Sequence, residues 1–128
     1  GEKITMKQYQ DAVAKRGALG VLMNRFHQKY DLLLTPTLPL PAFEAGKEIP
    51  AQVREGRWTD WTPFSYPFNL TQQPAASIPC GLTKAGLPAG LHIVGPKYGD
   101  AQVLRAARAF EEVRPIALPD LAKLRKRV

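Results

Sequence analysis

Between residues 68 and 95 the chain reads FNLTQQPAASIPCGLTKAGLPAGLHIVG. Prolines and glycines are too frequent there for a helix, and buried-type residues too frequent for a linker. Two strands joined by a tight turn satisfy both facts. Residues 75–83 and 88–94 form the strands. Lys84-Ala85-Gly86 supplies the turn, with Gly86 free to take a positive φ. Alternation places Ala76, Ile78, Cys80 and Leu82 on one face of the first strand, and Leu91 and Ile93 on one face of the second. The opposite faces carry Ser77, Pro79 and Gly81 on the first strand, and His92 on the second. Pro79 donates no backbone hydrogen bond, so it implies a strand edge or an irregular ladder.

The rest of the chain supplies elements that pack on this hairpin. Residues 4–29 read as one long helix, opened by a capping box of Thr5 and Gln8. Tyr9, Val13, Arg16, Met23, Phe26 and Tyr30 recur at near-helical spacing, and Ala12, Leu19 and Leu22 widen the stripe. These aromatics are expected in the core rather than around a cofactor. Gly17 and Gly20 weaken the helix by about 1 kcal/mol each relative to alanine, and their size lets another element approach.

Asp31-Leu32-Leu33-Leu34-Thr35 is a short apolar run suited to a strand buried on both faces. Pro36, Pro39 and Pro41 stop it in extended, surface-running chain. Residues 36–67 form a long loop carrying Trp58, Trp61, Phe64 and Tyr66, with a helical turn expected at 51–54. Loops of that length in compact domains are commonly functional. A last helix, residues 101–113, is capped by Asp100, presents Val103, Leu104, Ala107 and Phe110 as its apolar stripe and ends at Pro115. The order of elements is that of an α/β protein, a single unit in which helices cover a sheet.

Composition narrows the class. Of 128 residues, 45% are hydrophobic and 23% charged, enough for a core and unlike a disordered chain. No apolar run is long enough to span a membrane, and no secretory signal pattern is present. A cytoplasmic protein is expected. One cysteine, Cys80, excludes an internal disulfide and a cysteine-rich metal site. Much of the excess behind the net charge of +7 sits in the basic tail, residues 120–128. Such a block reads as an exposed tail. No RNP-type strand, zinc finger or GXXG loop accompanies it, so nucleic-acid binding is not expected.

The ordered set Phe68-Asn69-Leu70-Thr71, Pro74-Ala75, Pro79, Gly81, Gly86-Leu87-Pro88-Ala89-Gly90-Leu91-His92-Ile93-Val94-Gly95, Asp100 and the helix to Phe110-Glu111 resembles the C-terminal end of an amidase signature enzyme. Tyr30 to Thr37 resembles that family's strand and proline-rich turn. The likeness covers nearly the whole chain. It departs at Gln72, where the family usually places glycine. It implies the C-terminal portion of the amidase signature fold, a mixed sheet covered by helices. The motif positions Asn69, Thr71, Pro74, Gly86, Pro88, Gly90, Gly95 and Asp100 are then structural, Asn69 and Thr71 as turn-bonding residues.

The resemblance also implies amide hydrolysis by a Ser–Ser–Lys triad, with a glycine- and serine-rich stretch that holds the serines and forms the oxyanion hole. No cofactor or metal is implied. That stretch is absent: Ser65 and Ser77 are the only serines, and neither has a Gly-Ser-Ser-Gly context. Gly1, rather than methionine, opens the chain. The catalytic half is therefore expected upstream, and the segment alone is expected to be inactive, supplying scaffold and part of a pocket for a small-molecule amide. Two other readings remain open: the amidase-type component of a tRNA-dependent amidotransferase, and a non-catalytic binding or assembly module. A chain without its catalytic half is expected to expose apolar surface and to self-associate.

For substrate contact the candidates are Thr35, Pro36, Thr37, Trp61 and Phe64. Thr35 to Thr37 sit at a strand end, where they reach substrate or merely make a turn. The loop aromatics line a pocket or pin the loop to the core. Cys80 and His92 pose the question of a nucleophile and its base, against which a strand-buried cysteine usually behaves as a small hydrophobe. His27 has no second ligand at metal-binding spacing on its helix.

Overall fold

The computed structural model describes residues 1–53 and 58–115. Three helices, three strands and one 3-10 turn follow in the order α1 (Met6–His27), β1 (Leu33–Pro36), the 3-10 turn (Trp58–Trp61), α2 (Tyr66–Thr71), β2 (Ala75–Leu82), β3 (Pro88–Val94) and α3 (Asp100–Val113). The basic tail lies outside the described residues, as does part of the helical turn expected at 51–54. What is described there is a turn at Ala51 and Gln52, with the Val53 amide donating to the Pro50 carbonyl at 2.9 Å.

The hairpin forms as its residues dictate. The Gly86 amide donates to the Thr83 carbonyl at 2.9 Å, and the Thr83 amide to the Leu87 carbonyl at 2.8 Å. Gly86 closes the turn at φ +78°, where a side chain would be strained. The register runs from Ala75↔Val94 to Pro79↔Gly90, then jumps to Gly81↔Ala89. Cys80 is the extra residue of a β-bulge. The bulge breaks the alternation expected from sequence: Ile78 is buried, but Leu82 is exposed rather than sharing its face.

β3 lies at the centre of the sheet, between β1 and β2. Both pairings are antiparallel, so no parallel pair is found among the described strands. β1 is an edge strand here. Leu33 packs inward while Leu34 is exposed, which corrects the expectation of a strand buried on both faces. The reason is position: α3 packs over β2 and β3 on the face that Leu34 shares, and does not extend over Leu34.

The sheet has a core on each side. Ile78 and Ile93 meet Val103 and Ala107 of α3, with Ala106 and Phe110 packed around them. Gly95 permits this approach, since a Cβ there would lie 2.6 Å from Val103 Cγ2. Leu104 is exposed rather than part of the stripe. On the other side Val94 packs with Met23 of α1 and Phe68 of α2, flanked by Phe26 and Leu33.

α1 begins as its sequence predicts. The Gln8 amide donates to Thr5 Oγ1, and the Thr5 amide donates to Gln8 Oε1 at 2.8 Å. Its stripe does not bury as expected. Only Met23 is buried; Tyr9 is 61% exposed and Val13 51%. Arg16 ties the helix to α2, donating to the Leu70 carbonyl at 2.7 Å.

Asp100 is the first residue of α3, not its cap. Gly99 takes the cap position without a side-chain bond. Asp100 stands in the first turn, where a carboxylate favours the helix dipole.

Candidate functional site

The site is built where the end of β1 meets the middle of β3. Thr35 pairs with His92 and Pro36 with Leu91. The next residue keeps the ladder going: the Thr37 amide donates to the Gly90 carbonyl at 3.0 Å. Across β3, Ser77 of β2 pairs with His92. Thr35, Ser77 and His92 thus project from the same face of the sheet.

Thr37 and Ser77 meet over Gly90. Their hydroxyl oxygens are 2.7 Å apart. A Cβ on Gly90 would lie 2.6 Å from Thr37 Oγ1 and 3.1 Å from Ser77 Oγ. Glycine is what allows the two hydroxyls to converge there. Above them opens a cleft of about 460 Å³, walled by the proline-rich segment that follows β1 and by the start of β3. Proline locks φ, so that wall is held with little conformational freedom.

His92 is buried beside this cleft. Its Nδ1 lies 3.4 Å from Thr35 Oγ1, and its ring meets Phe68 edge-on at 5.4 Å between centroids. Burial lowers its pKa below the ordinary histidine value, and a hydrogen bond to the Phe64 backbone opposes this in part. Cys80 makes no pair with it: the bulge turns Cys80 Sγ to the Ala89 carbonyl, 3.5 Å away. His27 Nδ1 lies 3.1 Å from the Tyr30 carbonyl. Among the described residues, no three His, Cys, Asp or Glu side chains gather as a metal site would need.

The five substrate candidates divide. Pro36 and Thr37 line the cleft, and Thr35 flanks it. Phe64 contributes its backbone, to His92. Trp61 packs edge-on against Phe43, with 5.2 Å between ring centroids, and does not line the cleft. Ser77 is readable from sequence only as a residue on the His92 face. Its meeting with Thr37 depends on the β1–β3 register, which the sequence does not display.

Of the motif positions near the site, Thr71 and Pro74 make hydrogen bonds. Thr71 Oγ1 donates to the Pro67 carbonyl at 2.8 Å and also contacts Gln73 Oε1. Asn69 is exposed. The Pro74 carbonyl accepts from the Gly95 amide at 3.0 Å. Gln72 ends α2 at φ 62°, ψ 36°, a left-handed cap in which glycine is the least strained residue. The departure from the family pattern therefore falls where a glycine has a physical purpose. Ser65 precedes α2 without a side-chain capping bond.

Comparison with known proteins identifies this frame. The family model described as Amidase matches residues 1–104. The chain is 44% identical over 87 residues to a glutamyl-tRNA(Gln) amidotransferase subunit of Myxococcus xanthus, covering 68% of this chain and 17% of that protein. It is 38% identical over 121 residues to an acylamidase of Rhodococcus erythropolis, covering 91% of this chain and 25% of the relative. Among solved structures, a bacterial aryl acylamidase of the amidase signature family superposes with a TM-score of 0.75 at 31% identity, over 89% of this chain and 24% of that one. The corresponding glutamyl-tRNA(Gln) amidotransferase subunit from Thermotoga maritima gives 0.72 at 32% identity, over 84% of this chain and 23% of that one. The chain thus spans a quarter or less of the length of these relatives, and over that span it belongs to the amidase signature family.

Proposed function

We propose that this chain forms the scaffold and one wall of the substrate pocket of an enzyme that hydrolyses a carboxylic amide. The observation that supports this most directly is the cleft at the end of β1, where Pro36 and Thr37 meet Ser77 and Gly90. In the reaction, a serine oxygen adds to the amide carbonyl. The C–N bond breaks, the amine leaves with a proton, and water then releases the acid from the acyl-serine. Ser77 is engaged with Thr37 rather than with a lysine, and Ser65 sits at the start of α2. The nucleophile is accordingly assigned to a part of the enzyme other than these residues. Sheet, helices and cleft here serve it by shaping where the amide lies.

A second reading has its own support. Several relatives are glutamyl-tRNA(Gln) amidotransferase components, the Myxococcus xanthus protein among them. On that reading the enzyme works with partner subunits and acts on glutamine. A cytoplasmic setting fits either reading; no helix among the described residues is long and apolar enough to cross a membrane.

The deciding experiment assays the whole gene product on neutral anilides and on glutamine, with and without a serine-directed sulfonyl fluoride. Release of aniline, abolished by the reagent, is expected. The 128-residue chain alone should release none. Turnover by that chain, or none by the whole protein on any amide, would overturn the proposal.

A further inference from the structure

His92 is a buried titratable group that the proposed reaction leaves unused. It is 8% exposed, so its surroundings lie almost wholly within this chain. Its Nδ1 is 3.4 Å from Thr35 Oγ1, and that oxygen is 3.0 Å from the Pro36 carbonyl. The bond to the Phe64 backbone favours the charged ring, so there the ring donates and the Phe64 carbonyl accepts. Nδ1 faces Thr35, which leaves Nε2 to carry that hydrogen. Phe68 of α2 packs on the ring, and Ser77 of β2 stands opposite it in the ladder. The titratable residues of the elements around it are Cys80 in β2, whose Sγ turns to the Ala89 carbonyl, Tyr66 in α2 and Asp60 in the 3-10 turn. α1 reaches this side of the sheet through Met23 and Phe26. No ionised side chain is among the causes that move the His92 pKa.

Thr35 has one hydroxyl hydrogen and two acceptors within reach, the Pro36 carbonyl and a bare Nδ1. A neutral ring with its hydrogen on Nε2 leaves Nδ1 bare. Pro36 is exposed and its carbonyl can turn to water, whereas an unpaired Nδ1 in a buried ring is costly. The hydroxyl hydrogen then belongs on Nδ1. A protonated ring carries hydrogens on both nitrogens. Nδ1–H then donates to Oγ1, and the hydroxyl hydrogen has only the Pro36 carbonyl left. We propose that His92 is a positioning residue for the cleft wall and acts through Thr35: neutral His92 draws the Thr35 hydroxyl hydrogen to Nδ1, and protonated His92 returns it to the Pro36 carbonyl. The added proton comes from water, and no bond between heavy atoms changes. One proton thus fastens or frees the carbonyl of Pro36, where the proline-rich wall begins. The proposal goes beyond the amide-hydrolase reading and does not depend on it.

The test is a pH titration of the whole protein by nuclear magnetic resonance, with no turnover required. Labelled histidine nitrogens report the ring, and His92→Gln identifies the His92 signals. Pro36-Thr37 is the one Pro-Thr pair in this chain, so labelled proline carbonyls read through labelled threonine nitrogens report the Pro36 carbonyl. Above the midpoint the ring hydrogen is expected on Nε2. The Pro36 signal should move with the His92 midpoint, below about pH 6.5. Thr35→Val removes the hydroxyl and keeps the shape. His92 should still titrate there, its midpoint lowered by about half a pH unit because the charged ring loses an acceptor, while the Pro36 signal stays still. Thr35→Ser, which keeps the hydroxyl, should restore both. A Pro36 signal that ignores His92, or that follows it equally in Thr35→Val, would overturn the proposal. If Thr35→Val does not fold, the unaltered protein decides. A neutral ring with its hydrogen on Nδ1 overturns the proposal, and a hydrogen on Nε2 with a midpoint shared by Pro36 supports it.

Discussion

The N-terminal helix and the C-terminal hairpin with its helix contain similar apolar residues and use them differently. In β2, β3 and α3, Ile78, Ile93, Val103 and Ala107 bury one another, and Ile93 is only 2% exposed. In α1, Tyr9 and Val13 stand open, and a groove between them and Leu70 is filled by nothing in the described chain. The hairpin region carries its own core. Among the described residues the helix meets the sheet near Met23 and Phe26, while its first half keeps Tyr9 and Val13 exposed and is tied to α2 through Arg16. Apolar periodicity therefore signals a face that can be covered, not one that is covered.

The sharpest way to break that contrast is to truncate one residue on each side. Ile93→Ala should destabilise the chain by about 2–5 kcal/mol, since it removes a fully packed side chain and leaves a cavity. Val13→Ala in the same chain should cost less than about 0.5 kcal/mol. Denaturant midpoints measure both; equal losses would erase the distinction. Repeating Val13→Ala in the whole protein sharpens it, because a clearly larger loss there would mean that more of the protein covers the face.

A smaller effect probes His92, whose ring packs against Phe68. Its folded-state pKa is lowered by burial. Above about pH 6.5 the imidazole is neutral whether folded or unfolded, and stability is unaffected. As pH falls below that value the unfolded chain takes up a proton that the folded chain resists, so stability declines. Replacing His92 with glutamine should flatten this slope below about pH 6.5. A slope unchanged by the replacement would assign the decline to other groups.

The smallest effect concerns a single backbone position. Gln72→Gly should stabilise the chain by about 0.5–1 kcal/mol, because the left-handed cap at φ 62° strains a side chain and not a glycine. A loss instead would mean that the Gln72 side chain contributes more than its strain costs.

These contrasts also explain what was legible in the sequence. The capping box at Thr5, the turn at Gly86 and the hairpin strands depend on neighbours within a few residues, and each was readable. The α/β class and the family followed from their order. Three features were not readable for physical reasons. The exposure of Leu34 reflects where α3 lies, over β2 and β3 and not over Leu34. The bulge at Cys80 is a misfit between two strands, of which Pro79 gave only a hint. The cap at Gly99 displaces Asp100 by one residue because the Gly99 amide is already turned back to the Pro96 carbonyl, 2.8 Å away. At the site, Thr35 to Thr37 were readable as a strand end. Ser77 was not, since it joins them only through β3.

The strand order has a consequence in time. β2 and β3 are joined by a few residues and can pair as soon as both exist. β1 reaches the same central strand only by closing a loop of roughly 50 residues, an entropic handicap of about 2 kcal/mol relative to the hairpin turn. The hairpin should therefore form first and serve as a template. Pro36 and Thr37, which line the cleft, arrive last, so the cleft is finished only when the sheet is.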